Sequence, residues 1–234
     1  MNYIGGGAGY YDLQHRPCIF DNKGIYSDVL YICIVKESIK LAVEHGWNKL
    51  RGPFSVTKST GNILSELDGE NAFEVVYKDI IEDELDIRLS PEGFFMYAKD
   101  HPFGILQANQ VDVLVRDPIF INDKNEIVCV ADIPQDSKLY VLQGNTDTLL
   151  ESSILVSNRC SRKAPGQYIP LLFDCISRAM FLEDKFDKEL SNIQNRLNYM
   201  VEGALSIGEI ASGDNGELLI HNKSTILGLL QIKS

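Results

Sequence analysis

The chain is poor in the residue patterns that many function classes require. It holds five cysteines in 234 residues, an odd number, and none forms a C-x-x-C pair with another. A disulfide framework and a cysteine-based zinc site are therefore not expected. The four histidines (His15, His45, His101 and His221) are scattered, with no two four residues apart, so no metal motif is legible. Basic residues are outnumbered, 22 Lys and Arg against 33 Asp and Glu, for a net charge of −11. A phosphate backbone needs a basic footprint, and an anionic bilayer attracts the same sign. The balance thus argues against nucleic acid and against a membrane surface as partners. No stretch approaches the roughly 20 apolar residues of a membrane helix. Residues 1–9 also lack the basic-then-apolar pattern of a secretory leader. Free thiols in this context predict a reducing, cytoplasmic compartment.

What is present is an ordinary globular composition, 44% apolar and 24% charged. Strand-like runs flank tight turns. Residues 17–21 and 25–35 flank Asn22-Lys23-Gly24. Residues 54–58 and 63–67 flank Gly61-Asn62, and 119–122 and 127–130 flank Asp123-Lys124-Asn125. Residues 218–221 follow the turn 213–216, and residues 168–175, 199–210 and 224–232 read as further strands. Helix starts are expected at Asp68, Ser90-Pro91, Thr146 and Asp184. The Thr146 helix should run to Lys163, with Arg159, Arg162 and Lys163 at its negative end, and stop at Pro165-Gly166. In the last helix, Phe186, Leu190, Ile193 and Leu197 fall on one face, which predicts core packing. The expected fold class is α+β: mostly antiparallel sheets built from hairpins, with about four inserted helices packed on them.

Glycines cluster at Gly5-Gly6-Gly7-Ala8-Gly9, but Tyr10 stands where a dinucleotide fingerprint needs its third glycine, and no Gly-Lys-Ser/Thr follows. A backbone turn is the expectation. The acidic run from Asp79 to Asp86 lacks calcium-loop spacing and reads as a solvated helix end. The C-terminal third is more specific. Cys175-Ile176-Ser177-Arg178 stands where a buried strand ends, a place where sites are built. Arg178 suits a carboxylate through a two-pronged hydrogen bond. Gly203 and Gly208 in an apolar strand predict a bulge or a close backbone approach. Glu209, in the same strand, needs a partner if buried, and Arg178 is a candidate. His221-Asn222-Lys223-Ser224-Thr225 stands at a turn between apolar strands, where polar groups also serve the local backbone. Cys175, Glu209 and His221 have the types of a nucleophile, an orienter and a base, although residue type alone does not establish a triad.

These residues resemble the FIST domain family. Its C-terminal half is marked by a C-x-x-R-like element, a G-x-x-x-x-G-E-I strand and a final H-N-x-S/T. Here these are Cys175 to Arg178, Gly203 to Ile210, and His221, Asn222 and Ser224. Val56-Thr57 with Gly61-Asn62 and Glu66-Leu67-Asp68-Gly69, then His101-Pro102-Phe103-Gly104 and Val115-Arg116, resemble its upstream elements in order. Ile4 to Gly9 resembles a glycine turn near the end of its N-terminal half. The resemblance implies residues 1–35 as terminal strands of an incomplete N-terminal half and 36–234 as the C-terminal domain. It therefore implies a short form or a piece of a larger two-part domain.

The resemblance further implies a non-enzymatic sensory module of intracellular signal transduction. It would bind a small molecule such as an amino acid and pass the signal to an output protein or domain, without cofactor or metal. Cys175, Arg178, Gly208, Glu209, His221 and Asn222 are the expected ligand-binding residues. For an amino acid, Arg178 suits the carboxylate and Glu209 the ammonium. Two alternatives stand beside it: a protein-interaction adaptor of the F-box-associated type, and a thiol enzyme using Cys175 with a pKa lowered by Arg178 or His221.

Overall fold

A computed structural model describes residues 1–10, 12, 14–109, 111–161, 167–197, 199–213 and 215–232. The strands in chain order are β1 (Ile4–Gly6), β2 (Ile19–Phe20), β3 (Ile25–Tyr26), β4 (Ile39–Glu44), β5 (Asn48–Thr60), β6 (Ile63–Leu67) and β7 (Glu70–Asn71). They continue as β8 (Phe103–Leu106), β9 (Val113–Arg116), β10 (Pro118–Ile121), β11 (Ile127–Cys129) and β12 (Lys138–Gln143). The last are β13 (Gln167–Cys175), β14 (Glu202–Ser206), β15 (Glu209–Ser212), β16 (Leu218–His221) and β17 (Thr225–Ile232). The helices are α1 (Lys78–Leu85), α2 (Phe94–Ala98), α3 (Thr146–Ser161), α4 (Ile176–Leu182) and α5 (Phe186–Leu197). A π-helical turn leads into α1 and a 3-10 turn into α2, while a 3-10 turn joins α4 to α5, giving four helical stretches among the described residues. The fold is α+β, as the hairpin pattern predicts.

The chain divides into two compact units. Unit 1 comprises residues 1–44, 150–220 and 224–234, and unit 2 comprises 45–149 and 221–223.

Unit 2 is built on one eight-stranded antiparallel sheet in the order β10-β11-β6-β5-β12-β8-β9, with β7 beside β6. Its core includes Val56, Leu64, Leu67, Phe73, Tyr77, Phe94, Phe103, Ile127 and Leu139. The Tyr77 ring tilts against Phe94 and meets Phe103 edge-on, and its hydroxyl donates to the His101 carbonyl at 3.0 Å. That bond satisfies the polar end of an otherwise apolar anchor. Asp68 does not cap a helix. It sits at φ +51° in the turn between β6 and β7, and its carboxylate accepts the Ser55 N–H at 2.8 Å. Asn71 is the cap, accepting from the Phe73 and Glu74 amides at 3.0 and 2.8 Å. Ser90 caps the 3-10 turn Pro91–Gly93 as expected. At the start of α3, Asn145 does the work expected of Thr146, accepting from the Asp147 and Thr148 amides.

Unit 1 contains a four-stranded sheet in the order β14-β13-β17-β4 and a three-stranded sheet in the order β1-β15-β16. A two-stranded hairpin, β2-β3, completes its strands. The pair β13-β14 is parallel; β13-β17 and β17-β4 are antiparallel. Its core joins Ala42, Val156, Cys160, Tyr168, Leu172, Ile193, Leu197, Leu227 and Leu229.

Four sequence expectations change here. Residues 199–210 form two strands in different sheets, not one, because the chain turns at Ile207-Gly208. The glycine cluster is not simply a turn: Ile4–Gly6 is a strand that pairs antiparallel with β15, placing Gly6 opposite Glu209. The run 25–35 is strand only at Ile25–Tyr26. On α5 the buried positions are Glu189, Ile193 and Leu197, while Leu190 is exposed. The expectations at Arg162, Lys163, Pro165, Gly166 and Asp214 lie outside the described residues. Gly203 does mark a close approach: a Cβ there would run into the Leu172 carbonyl oxygen of the parallel neighbour.

Candidate functional site

Unit 1 carries a charged cluster with almost no exposure to solvent. Arg178 and Glu189 are each 0% exposed, and an unpaired charge in such a place would be costly. They pair: Arg178 Nε donates to Glu189 Oε1 at 2.6 Å, and another guanidinium nitrogen donates to Ser152 Oγ at 2.7 Å. Asp174 stands four residues before Arg178, at the end of β13, and its Oδ1 lies 3.9 Å from the Arg178 Nε. The elements converge because each presents its polar residue inward from an apolar stretch. Asp174 and Cys175 end β13, Arg178 lies in α4, Glu189 in α5, Ser152 in α3 and Thr225 at the start of β17.

Protons are part of this geometry. The Thr225 hydroxyl lies 3.0 Å from Asp174 Oδ1 and 2.8 Å from Glu189 Oε1. One hydroxyl proton serves only one acceptor, so the second oxygen has to bring a proton of its own. Burial supplies it: desolvation, reinforced by the nearby Glu189, pushes the Asp174 carboxyl up to about 8. Glu209, fully buried in β15, accepts from Ser206 Oγ at 2.9 Å and from the Ser224 N–H at 3.3 Å. Its carboxyl is likewise raised to about 8 by burial, against hydrogen bonds from Ser206, Ser224 and the Cys175 side chain. Two carboxyl groups thus share one guanidinium, and burial favours the protonated forms of Asp174 and Glu209.

The structure brings Cys175 and Glu209 together, as the side-chain hydrogen bond shows. Cys175 is buried, at 2% exposure. Arg178 joins the cluster through Asp174 and Glu189. Gly208 has φ +85°, a conformation that favours glycine, and its carbonyl accepts the Gly7 N–H at 2.8 Å. This bend separates β14 from β15 and lets Glu209 point into the cluster while Ser206 caps its Oε1.

His221 and Asn222 belong with unit 2. Burial holds the His221 imidazole down to about 4, with the Arg116 charge and His45 adding to the effect, so it is neutral at pH 7. Asn222 is 1% exposed and donates to the His221 carbonyl at 3.0 Å. Lys223 follows at φ +50° with no exposure. Its ammonium reaches Asp117 Oδ1 at 3.2 Å and the Lys99 carbonyl at 2.9 Å, and it lies 5.2 Å from the Trp47 ring centroid. The Trp47 indole N–H donates to the Lys223 carbonyl at 2.9 Å. Ion pair, carbonyl and ring face together compensate a buried ammonium.

Sequence reasoning missed Asp174 and Glu189, and read Lys223 and Thr225 only as polar residues of a turn. Glu189 had a usable signal, since it stands three residues after Phe186 and four before Ile193, inside the apolar stripe of α5. Asp174 had one too, as the lone charge in an otherwise apolar strand. Among the described residues no group of three or more His, Cys, Asp or Glu is placed to hold a metal ion, and no helix is long and apolar enough to cross a membrane.

Comparison with known protein families matches residues 1–70 to the FIST N domain and residues 72–212 to the FIST C domain. No curated protein and no solved structure matches the chain. The residues of the charged cluster from Ser152 to Glu209 lie inside the FIST C match, with Thr225 just beyond it. The chain belongs to the FIST family, whose domains are sensory domains of signal transduction and not an enzyme family.

Proposed function

We propose that this chain is a small-molecule sensor of the amino-acid class, acting in the cytoplasm and passing its state to a signalling output partner. The observation that carries the reading is the excess of buried carboxyl groups. Asp174 and Glu189 share the Arg178 guanidinium, Glu209 is buried beside Cys175, and Asp174 Oδ2 and Glu189 Oε2 have no hydrogen-bond partner among the described residues. Buried acceptors without donors favour a ligand rich in N–H groups, and a primary ammonium supplies three.

In this reading Glu209 and Asp174 give up protons and receive the ammonium. A carboxylate on the same ligand exchanges with Ser152 at the Arg178 guanidinium. Cys175 and Gly208 shape the wall beside Glu209. The five cysteines, all free thiols, suit a reducing compartment. Cys175 is occupied with Glu209 and buried, which favours a structural thiol over a nucleophile.

A thermal-shift screen of the amino acids and simple amines tests the reading. At least one amino acid should raise the melting temperature of the full chain, and Glu209→Gln and Arg178→Lys should each reduce that rise. No shift from any amino acid, or a shift that both variants leave intact, overturns it.

A further inference from the structure

The segment Val29-Leu30-Tyr31-Ile32-Cys33-Ile34-Val35 is an apolar run that solvent reaches. Val29, Leu30, Tyr31, Ile32, Ile34 and Val35 are 45%, 75%, 71%, 67%, 77% and 52% exposed, and Cys33 is exposed as well. Consecutive residues are exposed together, so neither alternating face is covered. The segment contains β-branched and aromatic residues, no proline, no glycine and no charge, a composition that favours strand pairing. Yet it lies in no strand, and no backbone hydrogen bond links 29–35 to another described residue. A strand-forming sequence with unpaired amide and carbonyl groups is a template for another chain.

The flanks indicate which chain. Asp28 precedes the run and Lys36 follows it, both exposed. If two copies of the run pair antiparallel about Ile32, each residue n opposes residue 64 − n of the other copy. Ile32 then faces its own equivalent, Leu30 faces Ile34, and Val29 faces Val35. Just beyond each end lie Asp28, at φ +55°, and Lys36 of the other copy. The pairing therefore matches apolar with apolar throughout and leaves opposite charges flanking each end. It is isologous, so each copy presents the same edge to the other. Asp28 Oδ1 already lies 3.0 Å from His15 Nε2, which holds the carboxylate at the start of the run.

We propose that two copies of this chain associate through antiparallel pairing of residues 29–35 about a two-fold axis at Ile32, with Asp28 of each copy and Lys36 of the other flanking its ends. Sedimentation equilibrium of the full chain, from low to high micromolar, reads the association. The wild type should pass from monomer to dimer and no further. Ile32→Lys places two ammonium groups face to face and should weaken the dimer by roughly tenfold or more, without loss of the fold because residue 32 is exposed. Ile32→Glu alone should do the same. An equimolar mixture of the Ile32→Lys and Ile32→Glu chains should dimerise again, since only a dyad at this residue opposes the two. In a Cys33→Ser background, Ile32→Cys should form an intermolecular disulfide on oxidation and Leu30→Cys should not, because its equivalents are four residues out of line. A wild type that stays monomeric, assembles beyond the dimer, or dimerises equally well with Ile32→Lys overturns the proposal. So does a mixture that fails to re-associate when each single variant is folded by circular dichroism.

Discussion

The buried cluster makes stability fall as pH rises through neutrality, contrary to the usual carboxylate behaviour. Asp174 and Glu209 are raised to about 8 in the folded protein, whereas solvated carboxyls in an unfolded chain titrate near ~4. Between those limits the folded state holds more protons than the unfolded one, so the unfolding free energy declines with pH. The penalty is absent below ~4, grows above it, and is complete once pH passes the folded value of about 8. His221 runs the other way: its folded value of about 4 lies below the ordinary 6.5, so it favours the fold increasingly up to that ordinary value and is constant above it. The interval from about pH 6.5 to about pH 8 therefore isolates the two carboxyls. Each proton retained by the folded state gives a slope of ~1.4 kcal/mol per pH unit, or up to roughly 2 kcal/mol across that interval. Urea unfolding followed by far-ultraviolet circular dichroism at several pH values measures it directly. Asp174→Asn and Glu209→Gln, which stay neutral, should each flatten the decline. A wild-type free energy that is level or rising across the interval refutes the proton accounting, as does a slope that neither variant changes.

Two further outcomes follow from the same geometry and the surrounding sheet. Arg178→Met leaves the Glu189 carboxylate buried without its cation and should cost about 3–5 kcal/mol. Adding Glu189→Met should recover most of that loss in a thermal melt, because an apolar replacement of the whole pair is tolerated, while strictly additive losses would contradict the pairing. Gly203→Ala drives a methyl group into the Leu172 carbonyl and should destabilise the protein by about 1–3 kcal/mol; an unchanged melting temperature contradicts the β13-β14 approach.

The α+β class was legible because it rests on local signals. Turn residues such as Asn22-Lys23-Gly24 and Gly61-Asn62 specify hairpins within a few residues, and the structure places β2-β3 and β5-β6 on them. Caps were less legible. Asp68 and Asn71 are both competent cap residues, and the choice was made by Ser55, whose amide draws Asp68 into a strand turn. The run 25–35 has strand composition but no strand partner along most of its length, and a strand is defined by its partner. The cluster was legible in half. Cys175, Arg178 and Glu209 carry motif spacing along the chain. Glu189 and Thr225 reach Arg178 and Asp174 only through the packing of α5 and β17, and no local pattern fixes that. Leu190 and Glu189 compete for the same face of α5, and the buried guanidinium decides for the carboxylate.

A sensor built on this cluster exchanges protons for a ligand ammonium. Titration calorimetry of the full chain at pH 7 with the amino acid that stabilises it most, repeated in buffers of different ionisation enthalpy, measures that exchange. Proton release on binding, lost in Glu209→Gln, is the predicted result; binding with no proton release, or no heat for any amino acid, contradicts it.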